Sequence, residues 1–272
     1  MTLPQRPIIY KTFGRRHGPI TRLFSPGDLG QVLKPFVFLD YIEAENDGPK
    51  FGFHPHSGIA TLSFPLTYEM EHLTSLGQLD LVEAKGEEWV IAGGGIWHKS
   101  NLTGAGQLTG FQTWFSLPEA HELTEPSALF LPAASVPKAG PITVLMGSHD
   151  GVQSPVPAPF DANYFWVELM AGENWHYEPP VSHNLAWVFS QSGLLEVSGS
   201  TLERELAVFA PGNEAITFHA ENACAFLVGS AKRSSHELAL GNYSVHTTPE
   251  ALTRGEFRIA ELGRELKALG KL

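Results

Sequence analysis

Cysteine is almost absent: Cys224 is the single one in 272 residues, which excludes an intrachain disulfide. Basic residues are also scarce, with 18 Lys and Arg against 29 Asp and Glu and a net charge of −11. A nucleic-acid binder needs a basic face, and so does a protein that adheres to anionic lipid. Long apolar runs are missing too, since none approaches the roughly 20 residues of a membrane span. Pro4, Arg6 and Pro7 come too early for a basic start followed by an apolar core. These absences together predict a cytoplasmic, reducing-compartment chain that binds neither nucleic acid nor membrane. Cys224 lies in the apolar stretch Ala223–Val228, where a buried structural thiol is expected. No dinucleotide fingerprint is present either. Gly93-Gly94-Gly95 lacks the Gly-x-Gly-x-x-Gly form and no helical pattern follows it, so it reads as a tight turn.

What the chain does have is many short β segments. Apolar stretches at 8–10, 36–41, 59–66, 68–73, 78–82, 88–92 and 109–117 are separated by turn residues. Pro65 should stop its strand or place it at an edge. After a proline-crowded region with one strand at 142–146, strand signals return at 164–170, 185–189, 194–197, 206–209 and 223–228. That spacing is the mark of a sandwich or barrel. The expected organisation is all-β: an N-terminal domain over 1–125, a crossing linker over 126–160, a second similar domain over 161–235, and a tail over 236–272. The tail should carry a helix with Phe257, Ile259, Ala260, Leu262, Leu266 and Leu269 on its apolar face, packed on a β domain.

Chemistry concentrates in the first half. In Phe53-His54-Pro55-His56-Ser57-Gly58, the two histidines share a face if the segment is a strand. His98 follows the triple glycine on a second apolar segment. Three imidazoles from two strands would hold one divalent ion and leave positions open for chemistry. Iron, copper, nickel and zinc all suit imidazole. Phe51, Phe53, Trp97, Gln112 and Trp114 are the candidate pocket lining. His72 is expected to hydrogen-bond rather than ligate. His176 and His183 have no partner at ligand spacing. Arg15-Arg16 with Lys11 reads as a solvated cluster.

His54-Pro55-His56-x-Gly58, Glu71-His72-x-x-Ser75-x-Gly77 and Trp89-x-x-Ala92-Gly93-x-Gly95-Ile96-x-His98 resemble the pirin family of the cupin superfamily. Phe36–Asp40, Gln112–Pro118 and Gly241-Asn242-Tyr243 fit in the same order. The resemblance spans essentially the whole chain. It implies a bicupin of two antiparallel jelly-roll β-barrels with a mononuclear metal in the first. The family's metal is usually iron, as Fe(II); nickel, manganese, copper or zinc are the alternatives. The ligands are three histidines, which carry over to His54, His56 and His98, and a glutamate, which does not. Its position is Ser100, and a second acidic position common in cupins is Ala60. A three-histidine site should bind its ion more weakly and leave it more Lewis-acidic. Pirins resemble quercetinases, so the resemblance implies oxidative opening of a flavonol-like phenol with O2. Ser100 cannot serve as the base for that reaction at neutral pH, so Glu69, Glu71 or His72 would replace it, or the metal would lower the hydroxyl pKa enough for bulk water to take the proton. The alternatives are a non-catalytic metal-binding bicupin that regulates a protein partner, and a small-molecule isomerase.

Overall fold

The computed structural model describes residues 5–46, 48–77 and 79–272; Pro4, and Gln78 at the expected head of a strand, lie outside them. The chain is built from β-strands with a single α-helix, Pro249–Ala268, among the described residues. It divides into two compact units. One comprises Arg15–Val136 and Ser235–Leu272, the other the residues up to Gly14 together with Pro137–Ser234.

The first unit has a seven-stranded antiparallel sheet. Its order is Ser127–Leu131, Glu87–Ile91, Ile59–Pro65, Gln107–Ser116, Phe36–Glu45, Ile20–Phe24 and Arg15–His17. A four-stranded sheet of Lys50–His56, Ile96–Thr103, Glu69–Thr74 and Leu79–Val82 accompanies it. Side chains of both sheets share one core: Ile42 and Leu108 come from the larger, Met70, Val82 and Leu102 from the smaller. The second unit repeats this seven-plus-four pattern. Its interior is filled by aromatic rings, with Trp175 stacked on Phe218 at 5.3 Å and on Tyr177 at 5.2 Å. The fold is that of a bicupin.

The expected boundaries differ in three places. Residues 8–12 pair with Leu206–Phe209 in the second unit rather than joining the first. Arg6 anchors them: it is buried, and its guanidinium donates to the carbonyls of Ala210 (2.7 Å) and Asn184 (3.1 Å). The expected linker 126–160 is instead shared. Ser127–Leu131 adds an edge strand on Glu87–Ile91, whereas Ile142–Met146 pairs with Ala162–Leu169. A long polar-backbone stretch must find hydrogen bonds somewhere, and sheet edges supply them. Third, residues 235–272 belong to the first unit.

Pro65 does end its strand, but the strand is central in the sheet, not at an edge. The C-terminal helix runs from Pro249 to Ala268. Thr248 caps it by accepting from the Ala251 N–H, and Pro249 occupies the first turn. Its buried face is Ala251, Gly255, Ile259 and Leu266; Phe257, Ala260 and Leu269 point to solvent, contrary to the expected stripe. That stripe counted apolar residues and passed over Gly255, where the helix lies against His246 and Ser57. No helix among the described residues is long and apolar enough to cross a membrane.

Candidate metal centre

Lys50–His56 runs antiparallel to Ile96–Thr103, with His98 directly opposite His54 and Ile96 opposite His56. The two-residue strand period puts His54 and His56 on one face, and the register adds His98 to the same patch. Ring centroids lie 4.3 Å apart for His54 and His98, 4.9 Å for His56 and His98, and 5.0 Å for His54 and His56. One nitrogen from each ring lies within 4.8 Å of the other two.

The hydrogen bonds decide which nitrogens these are. The Nδ1–H of His54 donates to the Gly52 carbonyl at 2.8 Å, and that of His56 to the Tyr243 carbonyl at 3.0 Å. His98 Nδ1 faces His72 Nε2 at 3.3 Å. Each ring therefore keeps Nε2 free. Nε2 of His56 and of His98 are buried without any partner. Buried polar atoms are rarely left so, and a ligated ion would satisfy both. Burial lowers the pKa of all three rings, His56 to about 3 with the His54 charge adding to the effect. They are neutral at neutral pH, the form a metal requires. The donor set thus fits a divalent ion.

Behind the histidines lies a layer of buried polar side chains. Ser100 Oγ, on the His98 face of the strand, sits 3.2 Å from His72 Nδ1. Glu88 Oε1 lies 2.9 Å from the same nitrogen, and both Glu88 and His72 are almost fully buried. Among the described residues no carboxylate groups with all three of His54, His56 and His98, but Glu88 places an oxygen within 4.8 Å of nitrogens of His98 and His72. His72, Glu88 and His98 also offer atoms close enough to group around an ion. His72 meets Glu88 through Nδ1 and His98 through Nε2, and the buried trio forms a second potential metal group beside the first.

A pocket of about 670 Å³ opens over His54 and His56. Phe51, Phe53, Gln112 and Trp114 line it as expected. Trp114 stacks on Phe38 at 4.1 Å with an interplanar angle of 11° and presents its edge to His56 at 4.8 Å. Arg22 lies 4.2 Å over the Phe38 ring, with its guanidinium held by both oxygens of Asp40 at 2.9 Å. The pocket thus offers a flat aromatic wall next to the free imidazole nitrogens.

Two candidates go elsewhere. Trp97 is not pocket lining: its Nε1–H donates to the Ile259 carbonyl at 2.8 Å and pins the C-terminal helix. It sits between Ile96 and His98, on the opposite strand face. Glu71 and Glu69 cannot reach the site, because they alternate with the buried Met70 and His72 and point to solvent.

The C-terminal segment contributes residues that the motifs did not reveal. Ser57 Oγ lies 3.0 Å from His246 Nε2 and 2.8 Å from Ser244 Oγ. The His246 Nδ1–H donates to Glu122 at 3.0 Å, and all four residues are buried. Burial lowers the His246 pKa. Gly58 makes this approach feasible: with φ of +74°, a Cβ there would strike the Val245 carbonyl and the His246 ring. The glycine of the His-x-His-x-Gly motif is therefore needed so that the segment bearing Tyr243 can lie against the ligand strand. The only sequence signal for Glu88 was its place at the head of the strand that continues through the apolar Trp89–Ala92.

In the second unit, His183 bonds Asp161 at 2.9 Å and Ser230 at 2.8 Å, a structural network, and both potential metal groups among the described residues lie in the first unit. Lys11 forms an ion pair with Glu205 at 3.1 Å. Cys224 is buried, and burial pushes its thiol up to about 11.

Comparison with known proteins agrees with this architecture. The Pirin family model matches residues 19–115, and the quercetinase C-terminal cupin domain matches residues 145–228. A pirin-like protein of Caulobacter vibrioides is 29% identical over 73% of this chain and 74% of its own length. The crystal structure of quercetin 2,3-dioxygenase from Acinetobacter baumannii superposes with a TM-score of 0.83 at 22% identity, covering 96% of this chain and 97% of that one. The bacterial pirin YhhW of Escherichia coli, in complex with nickel(II), gives a TM-score of 0.65 at 20% identity over 84% of this chain and 96% of its own. With the motifs, both domain matches and the fold in agreement, the chain belongs to the pirin family of cupins.

Proposed function

We propose that this protein is a metal-dependent dioxygenase of the quercetinase type, opening a flavonol-like phenolic substrate with O2. The observation that carries this reading is the convergence of three unclaimed Nε2 atoms at an open pocket with an aromatic wall. The likeness to a quercetin 2,3-dioxygenase fold and to a pirin that binds nickel supports it. His54, His56 and His98 would hold one divalent ion; iron(II) is the first candidate, with nickel, manganese, copper or zinc as alternatives. When bound, the ion supplies Lewis acidity and a place for a phenolate and O2 to meet.

The chain's own side chains supply orientation and exclusion. Trp114, backed by Phe38, would offer a planar ring a face to stack on, which contributes about 1 kcal/mol beyond buried area. Gln112 can hydrogen-bond a substrate oxygen from the same wall. Among the described residues, none of the candidate bases beside the three histidines is placed to take the phenol proton. Ser100 is not a base at neutral pH, Glu69 and Glu71 face solvent, and both nitrogens of His72 are already engaged. The pocket over His54 and His56 is open, so water would be the acceptor for that proton.

The test is elemental analysis of chelator-free protein, joined to oxygen uptake with quercetin after loading with iron(II), nickel, manganese or copper. Near-stoichiometric metal, oxygen consumption and loss of both in His56→Ala are the expected results. Stoichiometric metal without turnover on any flavonol would sink the dioxygenase reading. Metal content unchanged in His56→Ala would sink the site itself.

A further inference from the structure

The ligand set has lost its carboxylate, yet a carboxylate stands directly behind it. Ser100 occupies the position of the family's fourth ligand, and its Oγ contacts His72 Nδ1 at 3.2 Å. Glu88 Oε1 lies 2.9 Å from that same Nδ1. Glu88 comes from Glu87–Ile91, a strand of the larger sheet, whereas His72 and His98 come from adjacent strands of the smaller one. The pair therefore bridges the two sheets through the interior. Glu88 is almost fully buried, and Oε1 makes no aligned hydrogen bond of its own. Its interaction with His72 is thus one of charge at close range, while the aligned contact of Nδ1 is with the Ser100 hydroxyl.

The other side of the His72 ring meets His98. The 3.3 Å between His72 Nε2 and His98 Nδ1 holds one proton. A negative charge at Nδ1 of His72 favours the tautomer with its proton there. Nε2 of His72 must then accept, so His98 carries its own proton on Nδ1. That leaves His98 Nε2, the orphaned atom on the ligand patch, with a free lone pair. The sense of the relay is the one metal ligation needs. A buried anion at its far end also makes His98 a stronger donor.

We propose that Glu88, acting through His72, takes over the task of the missing ligand: it fixes the His98 tautomer and supplies the negative charge that Ser100 cannot. The proposal rests on the reading of His54, His56 and His98 as a metal centre. Glu88 and His72 are positioning residues here, since neither touches the ion. The relay accounts for three observations at once: a buried carboxylate oxygen with no aligned partner, a buried histidine with both nitrogens engaged, and a serine in the place of a ligand.

Two variants separate charge from hydrogen bonding. Glu88→Gln keeps the shape and removes the charge; Glu88→Met removes the acceptor as well. Metal affinity is measured by competition with a chromophoric chelator. Histidine tautomers are read in the metal-free protein by long-range proton–nitrogen NMR. In the wild type, His72 and His98 should both be protonated on Nδ1. Glu88→Gln should weaken metal binding about 10- to 100-fold, and Ser100→Glu in that background should restore it by returning a carboxylate to the centre. Glu88→Met should in addition give mixed tautomers at His72 and His98. Wild-type affinity and tautomers in both variants, or His98 protonated on Nε2 in the wild type, would overturn the relay while leaving the metal centre standing. A wild-type chain with both Nδ1–H tautomers but no affinity for any divalent ion would overturn the metal reading and leave the relay's geometry supported.

Discussion

Replacing Glu122 by alanine should loosen the metal site from a distance. The Glu122 carboxylate is buried and accepts from the Thr247 backbone N–H at 2.7 Å, the Thr247 hydroxyl at 2.6 Å and the His246 Nδ1–H at 3.0 Å. On its other side His246 reaches Ser57, the residue after the ligand His56. Removing the carboxylate orphans a backbone N–H and an imidazole N–H in a dry interior. Each unsatisfied buried donor costs roughly 1–3 kcal/mol, so the two together cost about 3–5 kcal/mol. At about 2–4 °C per kcal/mol for a domain of this size, the Tm should fall by roughly 10 °C. Glu122→Gln retains an acceptor and should lose only about 1–3 kcal/mol. Destabilisation alone would show only that the network is structural. The second readout is metal affinity in the folded variant, because the same segment carries the Tyr243 carbonyl that holds His56 Nδ1. Freed from that acceptor, His56 can turn or change tautomer, and affinity should drop about tenfold or more. A Glu122→Ala protein that melts within about 2 °C of the wild type, with the same metal affinity, would refute the reasoning.

Further outcomes are specific. Trp114→Ala should raise KM for a flavonol several-fold while leaving metal content intact, because it removes the stacking wall and none of the ligands; steady-state kinetics with elemental analysis decide it. Gly255→Ala should destabilise, although alanine favours a helix by about 1 kcal/mol, because the added Cβ would strike His246 and Ser57; a melt showing a gain would contradict the packing. The Cys224 thiol should resist alkylation in the native state near pH 8. With its pKa raised by burial to about 11, the thiolate forms only as pH approaches that value, so rapid native labelling at pH 8 would contradict the burial. Ser100→Glu in the otherwise wild-type chain should tighten metal binding, read by chelator competition; unchanged affinity would mean that position 100 cannot reach the ion.

Much of the β framework was legible because strands announce themselves locally. Ile142–Met146 and Leu206–Phe209 have the bounds their apolar runs suggested. The metal motif was legible for the same reason, since His-x-His reads as one face once the segment is a strand. What was not legible depends on pairing between distant residues. Nothing in Ile8–Thr12 says that its partner lies some two hundred positions away, and the buried Arg6 that anchors it looks like a solvent residue. Asn174–Tyr177 and Ile216–Ala220 escaped notice because polar residues alternate with apolar ones over so few positions. In the helix, apolar residues drew attention to Phe257 and Leu269, whereas the packed face is set by Gly255 and Ile259.

The site follows the same logic. The proposed ligands are local, two residues apart on one strand and opposite each other on two, so their shared face can be read from the sequence. Its control is non-local. The proton on His56 Nδ1 is held by a carbonyl from the C-terminal segment, and the proton on His98 Nδ1 faces a histidine beside a carboxylate from the other sheet. A motif comparison that stops at Ser100 sees a lost ligand and predicts a weaker centre. A reading that includes packing sees a buried negative charge retained one residue further from the ion. The two differ in what they expect of Glu88→Gln: no effect on the metal in the first, a large loss in the second. Loss of the charge behind His72 with no change in metal affinity would return the site to three isolated histidines, and the deficit at Ser100 would then stand uncompensated.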